Sequence, residues 1–349
     1  MMRNFLPPIL TGFLLSFLLM TITPSQAQNY EIAAIGYYNL ENLFDTIDSE
    51  GVRDSEYLPG AKKDWNTEKY YSKLDNMAKV LSEIALDKTP DGLVIFGISE
   101  IENKMVVEDL VKREALKDRN YQIVHYDSPD RRGIDVALVY NPKFFTLTNS
   151  YSAPFIDADT NFKTRDQLVV TGLLMGEEIH FQVNHWPSRS GGERRSRPKR
   201  DAAGKLARSL ADSLLALNPQ AKVMIMGDLN DDPTNASVAK YLKATDDKSK
   251  LKDGYFFNPY MTFNREGIGT LAYRDSWNNF DQIILTPALV TKDRSSWSFY
   301  KAKIFKKPYM INQEGKYKGY PKRTHAGGKY QGGYSDHLPV YVYLIREAK

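Results

Sequence analysis

Short apolar runs of strand length recur along this chain, and each meets a polar residue at one end. The clearest are residues 35–39 (Ile-Gly-Tyr-Tyr-Asn), 93–100 (Leu-Val-Ile-Phe-Gly-Ile-Ser-Glu), 181–185 (Phe-Gln-Val-Asn-His), 223–230 (Val-Met-Ile-Met-Gly-Asp-Leu-Asn) and 335–343 (Ser-Asp-His-Leu-Pro-Val-Tyr-Val-Tyr). Runs this short and this apolar read as buried strands. They set Asn39, Glu100, His185, Asp228 and the pair Asp336-His337 where a strand meets solvent. Strand ends hold side chains more rigidly than loops do, which suits a site that needs fixed geometry.

Further strands are expected near residues 31–38, 92–99, 121–126, 134–140, 144–149, 166–174, 178–185, 222–227, 270–274, 280–286, 297–305 and 338–345. Helical stripes cover 66–86, 104–117 and 200–217, the last with Leu206, Leu210, Leu214 and Leu217 turned inward. So many strands exceed one comfortable open sheet, so two stacked sheets flanked by helices are expected. Asn39, Glu100, His185 and Asp228 follow their strands, whereas Asp281 and Asp336-His337 precede theirs. All can share one rim only if strand directions are mixed. Repeats and interior linkers are absent from the sequence, so residues 28–349 read as a single domain.

The chain has 349 residues, 42% hydrophobic and 26% charged, enough to bury a large core. It has no cysteine, which excludes thiol chemistry, Cys-ligated zinc and disulfides. Residues 1–27 carry one cation, Arg3, then an apolar stretch at 6–20 and small residues up to Ala27. That order is the pattern of a cleaved secretory signal, so a secreted or periplasmic protein is expected. A membrane anchor is the competing reading, but the stretch is short for a span. The net charge of +4 is unevenly placed. Residues 188–200 hold six basic residues against one acid, and 301–330 hold nine against one. Such loops suit phosphate-bearing partners, or serve only as solvated surface.

The polar set fits metal-assisted attack on a phosphate ester. Glu100, Asn39 and Asp336 are candidate hard-oxygen ligands, with Glu41 beside them, and they favour Mg²⁺, with Mn²⁺ or Ca²⁺ as alternatives, over zinc. His185 and His337 form the candidate acid–base pair. Asp135 and Asp281, at strand starts, are candidates to orient them. Asp228 and Asn230 can hold water or the scissile phosphate. Arg189 and Arg165 are candidate phosphate clamps, with Arg132 a further one. His125, His180 and His325 lack such context and read as structural or exposed.

The ordered set Asn39-Leu-Glu41-Asn, Ser99-Glu100, Asn184-His185, Gly227-Asp228-Leu-Asn230, Phe280-Asp281 and Ser335-Asp336-His337 resembles the endonuclease/exonuclease/phosphatase superfamily, across about residues 30–345. His-Trp-Pro-Ser-Arg at 185–189 is similar to a group of exported bacterial nuclease-like members. The resemblance implies a four-layer α/β sandwich of the deoxyribonuclease I type, with the site at one rim of paired mixed sheets. It implies Mg²⁺ at Glu100 with Asn39 and Asp336 nearby, and Asn184 among the substrate-binding residues. It also places His185 and His337 on either side of the scissile phosphate, oriented by Asp135 and Asp281. The expectation is a secreted, monomeric, metal-dependent phosphodiesterase acting on nucleic acid. A phosphatase or phospholipid phosphodiesterase on a small head group is the alternative, and a non-catalytic binding protein on the same scaffold is a third.

Overall fold

A computed structural model describes Met1, Met2 and residues 29–348; the candidate secretory signal lies outside the described residues. In chain order the strands are β1 (Tyr30–Leu43), β2 (Leu93–Ile101), β3 (Gln122–His125), β4 (Asp135–Tyr140), β5 (Phe145–Ala153), β6 (Gln167–Leu174), β7 (Glu177–His185), β8 (Val223–Asp228), β9 (Ala244–Thr245), β10 (Phe256–Phe257), β11 (Leu271–Tyr273), β12 (Ser276–Asn278), β13 (Asp281–Leu285), β14 (Ser298–Ile304), β15 (His325–Ala326), β16 (Lys329–Tyr330) and β17 (Val340–Glu347). The α-helices are α1 (Thr67–Glu83), α2 (Lys104–Val111), α3 (Glu193–Leu217) and α4 (Tyr260–Arg265).

Two large mixed sheets result, one ordered β14-β17-β1-β2-β4-β3 and the other β5-β6-β7-β8-β13-β10-β9. Two-residue periodicity sends alternate side chains of each strand to opposite faces, and both faces are apolar. In the first sheet Ile35, Tyr37, Ile95 and Val342 turn toward the second sheet, where they meet Phe181, Val183, Met224 and Met226. The opposite face, with Tyr38, Phe96 and Tyr343, packs on Leu74, Met77 and Leu81 of α1 and Val106 and Leu110 of α2. On the outer face of the second sheet, Val223, Ile225 and Ile284 meet α3. Helix, sheet, sheet and helix make the four layers expected.

α1 starts as anticipated: the Asn66 side chain caps it by accepting from the Lys69 amide. α3 differs. It begins at Glu193, and its buried face is Arg200, Ala203, Gly204, Ala207 and Ala211 rather than the leucine stripe. Leu217 is exposed. The small residues let the helix approach closely; a Cβ on Gly204 would stand 2.4 Å from the Ser237 carbonyl oxygen. Among the described residues, no helix is long and apolar enough to cross a membrane.

Candidate active site

Strand direction gathers the polar residues at one rim. β1 runs parallel to β2 and β7 parallel to β8, so Asn39, Glu100, His185 and Asp228 emerge from the same end of the stacked sheets. β13 runs antiparallel to β8 and β17 antiparallel to β1. Their starts, with Asp281 and the preceding Asp336-His337, therefore reach that same rim. Asp228 is in register with His185 on one side and Asp281 on the other.

The backbone at the rim is bent to aim these groups. Glu41, Asn42, Glu100 and Asn230 all adopt positive φ, between 49° and 58°. Such conformations cost of order 1 kcal/mol or more for a non-glycine residue and persist only where the surroundings enforce them. The pairing of β1 with β2 slips between Asn39 and Leu43, and that of β2 with β4 slips between Ser99 and Ile101. These bulges turn the ends of β1 and β2 into the cleft. Gly227 serves the opposite need: a Cβ there would lie 2.3 Å from the Asn184 carbonyl oxygen, so only glycine lets β7 and β8 come together before Asp228.

Asp228 Oδ2 is the hub. It accepts from Asn39 Nδ2 at 3.1 Å and lies 3.6 Å from His185 Nε2 and 3.8 Å from His337 Nε2. His185 Nε2 is also 3.7 Å from Glu100 Oε1. His337 Nδ1 is 2.7 Å from Asp281 Oδ2, as the sequence suggested for this pair. The Ser335 hydroxyl donates to the Asn39 carbonyl and accepts from the His337 amide, tying the lead-in to β17 to the end of the neighbouring strand β1. Glu100 Oε2 accepts from the Asn42 amide. Glu41 Oε1 accepts from Arg323 Nε at 3.0 Å, and Arg323 Nη2 reaches Asp336 Oδ2 at 2.7 Å.

The two histidines differ in charge. Burial, with the cations of Arg165, Arg132 and His337, holds His185 well below its ordinary value, so the ring is neutral. Burial also opposes charge on His337, but Asp281, Asp228 and Asp336 outweigh it and hold the ring well above its ordinary value. Asp228 is pushed up to about 7, chiefly by burial, with His337 opposing and Asp281 adding to the rise. Burial and Asp336 push Glu41 up to about 7 against the pull of Lys73 and Arg323.

Several expected roles are not what the contacts show. Asp135 does not bond to His185. Its carboxylate is taken by His125 Nε2 at 3.0 Å and by the amide and hydroxyl of Ser128. His185 Nδ1 is buried without a hydrogen-bond partner. His125 is thus a buried partner of Asp135, with Asp127 close enough that the three form a compact group. Arg165 is buried and committed: it donates to Asp130 and to the carbonyls of His185 and Trp186, so it fixes the backbone under His185. Arg189 donates to the Asn230 carbonyl and pairs with Asp231, steadying the turn after β8. Asn184 is fully buried, bonded to the Gln182 and Met226 carbonyls and to the Trp186 indole, so it braces β7 and does not face a cleft. Asn230 donates to the Trp186 carbonyl. Arg323 and the buried Lys73, which donates to the Glu41 carbonyl and to Thr324, were not singled out from sequence. Nothing local marks either; both are drawn in by carboxylates distant in sequence.

Glu41 and Asp336 are joined through Arg323, Glu100 lies at the same rim, and the Asn39 side-chain oxygen accepts from the Glu41 amide; the three carboxylates do not close to within 4.8 Å of one another. Asp336 adds to the raised proton affinity of Glu41. Oxygen donors of this kind would suit a hard divalent cation rather than zinc.

Fold and site together define a phosphoric ester hydrolase. The chain belongs to the Endonuclease/Exonuclease/phosphatase family, whose profile matches residues 34–346. Enzymes of this family generally depend on a divalent metal. Among solved structures it is similar to an endonuclease/exonuclease/phosphatase family protein from Bacteroides thetaiotaomicron, at 15% identity and a TM-score of 0.55, over 92% of this chain and 97% of that one. It is likewise similar to a mannosyl-6-phosphatase of the same organism, at 16% identity and a TM-score of 0.54, over 89% and 99%. A third likeness is to D. rerio TDP2 complexed with a single-strand DNA product, at 15% identity and a TM-score of 0.52, over 90% and 98%. At these identities the likeness speaks to the fold alone. No curated protein matches the chain significantly.

Proposed function

We propose that this protein is an exported, divalent-metal-dependent phosphodiesterase that hydrolyses nucleic acid. One observation supports nucleic acid over a small ester. A cleft of about 790 Å³ opens past the end of β7, lined by Pro187, two residues beyond His185, and by Arg53, Arg131, Arg132, Lys163, Arg195 and Lys199, against only Asp130 and Asp159. Arg53, Lys163 and Arg195 have no carboxylate partner among the described residues. Unpaired cations along a groove attract a chain of phosphates; a single phosphate needs far fewer. Export rests on the charge and apolar order of residues 1–27.

Glu100, Asn39 and Asp336 would hold the divalent cation, which would supply positive charge at the phosphoryl oxygens. The protein's own groups do the rest. Asp228, whose proton affinity lies near neutral pH, receives a proton from the attacking water. His337, kept cationic by Asp281, lies beside Asp228 and stabilises the charge growing on the phosphate. His185, neutral and with Nε2 toward the cleft carboxylates, hydrogen-bonds the leaving oxygen. One P–O bond forms from water, the ester P–O bond breaks, and the leaving oxygen gains its proton from solvent.

The test is a panel of plasmid DNA, RNA, mannose 6-phosphate and bis(4-nitrophenyl) phosphate, with and without chelator, across a salt series. Cleavage of the polymers should vanish with chelator and weaken steeply as salt rises. Hydrolysis confined to the sugar phosphate would replace this reading with that of a phosphomonoesterase. Activity surviving excess chelator would remove the metal from it.

A further inference from the structure

The side of the site away from His185 carries a second recess, of about 500 Å³, which begins at Asp336 and Arg323. Arg323 bonds Asp336 directly, so the recess opens onto the candidate metal ligands. Its outer walls come from the β11–β12 hairpin and from the loop between β14 and β15. The hairpin contributes Tyr273, Arg274 and Asp275, and the loop contributes Lys316, Tyr317 and Tyr320.

Three observations give this recess a chemistry. First, Tyr273 is 60% exposed and Tyr317 47% exposed, so two large rings face solvent beside a hydrolytic centre. A scattered exposed ring needs no explanation, but two lining one recess are a ready stacking platform. Second, each ring has a cation against it: Arg274 lies 5.2 Å from the Tyr273 ring and Lys316 lies 5.6 Å from the Tyr317 ring. Neither cation has a carboxylate partner among the described residues. Third, the hairpin tip is strained. Arg274 and Asp275 take φ of 49° and 61°, the conformation of a two-residue turn that Asn-Gly adopts at little cost. Asp275 has a local use there, since its carboxylate accepts from the Tyr320 hydroxyl at 2.6 Å and ties the hairpin to the loop. Arg274 packs on the neighbouring Tyr273 ring and makes no ion pair among the described residues.

We propose that this recess receives the base of the nucleotide whose phosphate lies at Asp336, stacked on Tyr317 and Tyr273, with Arg274 and Lys316 at its edges. A recess of this volume takes one small organic group and not a duplex. The inference rests on the phosphodiesterase reading above and adds the group recognised beside the phosphate. The Tyr320–Asp275 contact holds the two walls at a fixed separation, so the rings are preorganised.

The test compares two esters with one leaving group: thymidine 5′-(4-nitrophenyl) phosphate, which has a base, and methyl 4-nitrophenyl phosphate, which has none. Removing both rings in a Tyr273→Ala, Tyr317→Ala double variant should raise KM for the thymidine ester by about 5- to 150-fold, the worth of one to two stacked contacts. KM for the methyl ester should not move, and kcat should change little for either. Tyr317→Phe, which keeps the ring, should keep the wild-type KM. An unchanged KM for the thymidine ester, or an equal rise for both esters, overturns the proposal. If wild-type protein hydrolyses neither ester with any divalent metal, the hydrolase reading falls, and calorimetry tests the recess alone. Thymidine monophosphate binding at least 5-fold tighter than ribose 5-phosphate, with the difference lost in the double variant, sustains the recess; equal affinities overturn it.

Discussion

Asp281 Oδ2 lies 2.7 Å from His337 Nδ1, and this contact decides what His337 can do. It fixes the proton on Nδ1, turns Nε2 to the cleft, and outweighs the burial that would otherwise discharge the ring.

Asp281→Asn should keep the shape of the pair while removing the charge. The His337 value then falls, so the ring is protonated over a narrower range and the alkaline limb of kcat/KM moves to lower pH. At neutral pH turnover should drop about 10²- to 10³-fold, the usual worth of a positioned group that stabilises transition-state charge. A pH–rate profile of the variant against wild type checks both. An unshifted alkaline limb would mean that His337 does not set it.

Glu100→Gln removes one carboxylate from the candidate metal ligands while keeping the side chain's shape and its bond from the Asn42 amide. Metal affinity should fall at least about 100-fold, with turnover falling alongside at limiting metal. Calorimetric titration with Mg²⁺ and Mn²⁺ reads the first, and activity against metal concentration the second. Chelation of the wild-type protein should abolish activity, and added Mg²⁺ should restore it.

Asp135→Asn separates a structural from a catalytic role. Asp135 bonds His125 and Ser128 and not His185, so the loss should appear as about 1–3 kcal/mol of stability in urea unfolding. Turnover of the folded variant should stay within a few-fold of wild type. A loss of turnover as large as that of a His185 variant would tie Asp135 to catalysis after all.

His325 gives the fold a sensitivity to acid. Burial, then Lys63, Lys73, Lys69 and Arg323, push its value down to about 4, and Tyr57, Trp65 and Tyr330 pack around the ring. The unfolded chain protonates this histidine near 6.5 and the folded one only near 4. Its contribution is therefore complete above pH 6.5 and is lost as pH falls toward 4. His325→Phe should remove that dependence. The difference in unfolding midpoint between variant and wild type should widen in favour of the variant between pH 6.5 and 4, as denaturant titrations at several pH values would show.

The sequence carried the site where chain geometry leaves little choice. Asn39, Glu100, His185, Asp228 and Asp336 each end or precede a buried strand, so once two mixed sheets are inferred the rim follows. Asp281 was legible for the same reason, because its register with Asp228 brings it to His337. Partner choice was not legible. Asp135 was matched to His185 but bonds His125, its neighbour on the adjoining strand β3. Arg165 and Arg189 looked like free guanidiniums because nothing local reveals Asp130 or Asp231 as their partners. Arg323 was hidden in a basic loop until the fold set it against Glu41 and Asp336. The leucines of α3 misled because amphipathicity alone does not say which face a helix presents when an alanine face allows closer packing.

The two sheets divide the reacting groups between them. Asn39, Glu100 and the Asp336-His337 pair belong to one, and His185, Asp228 and Asp281 to the other. The rim is therefore incomplete until β17 pairs with β1, so the arrangement of these groups depends on the closure of both sheets.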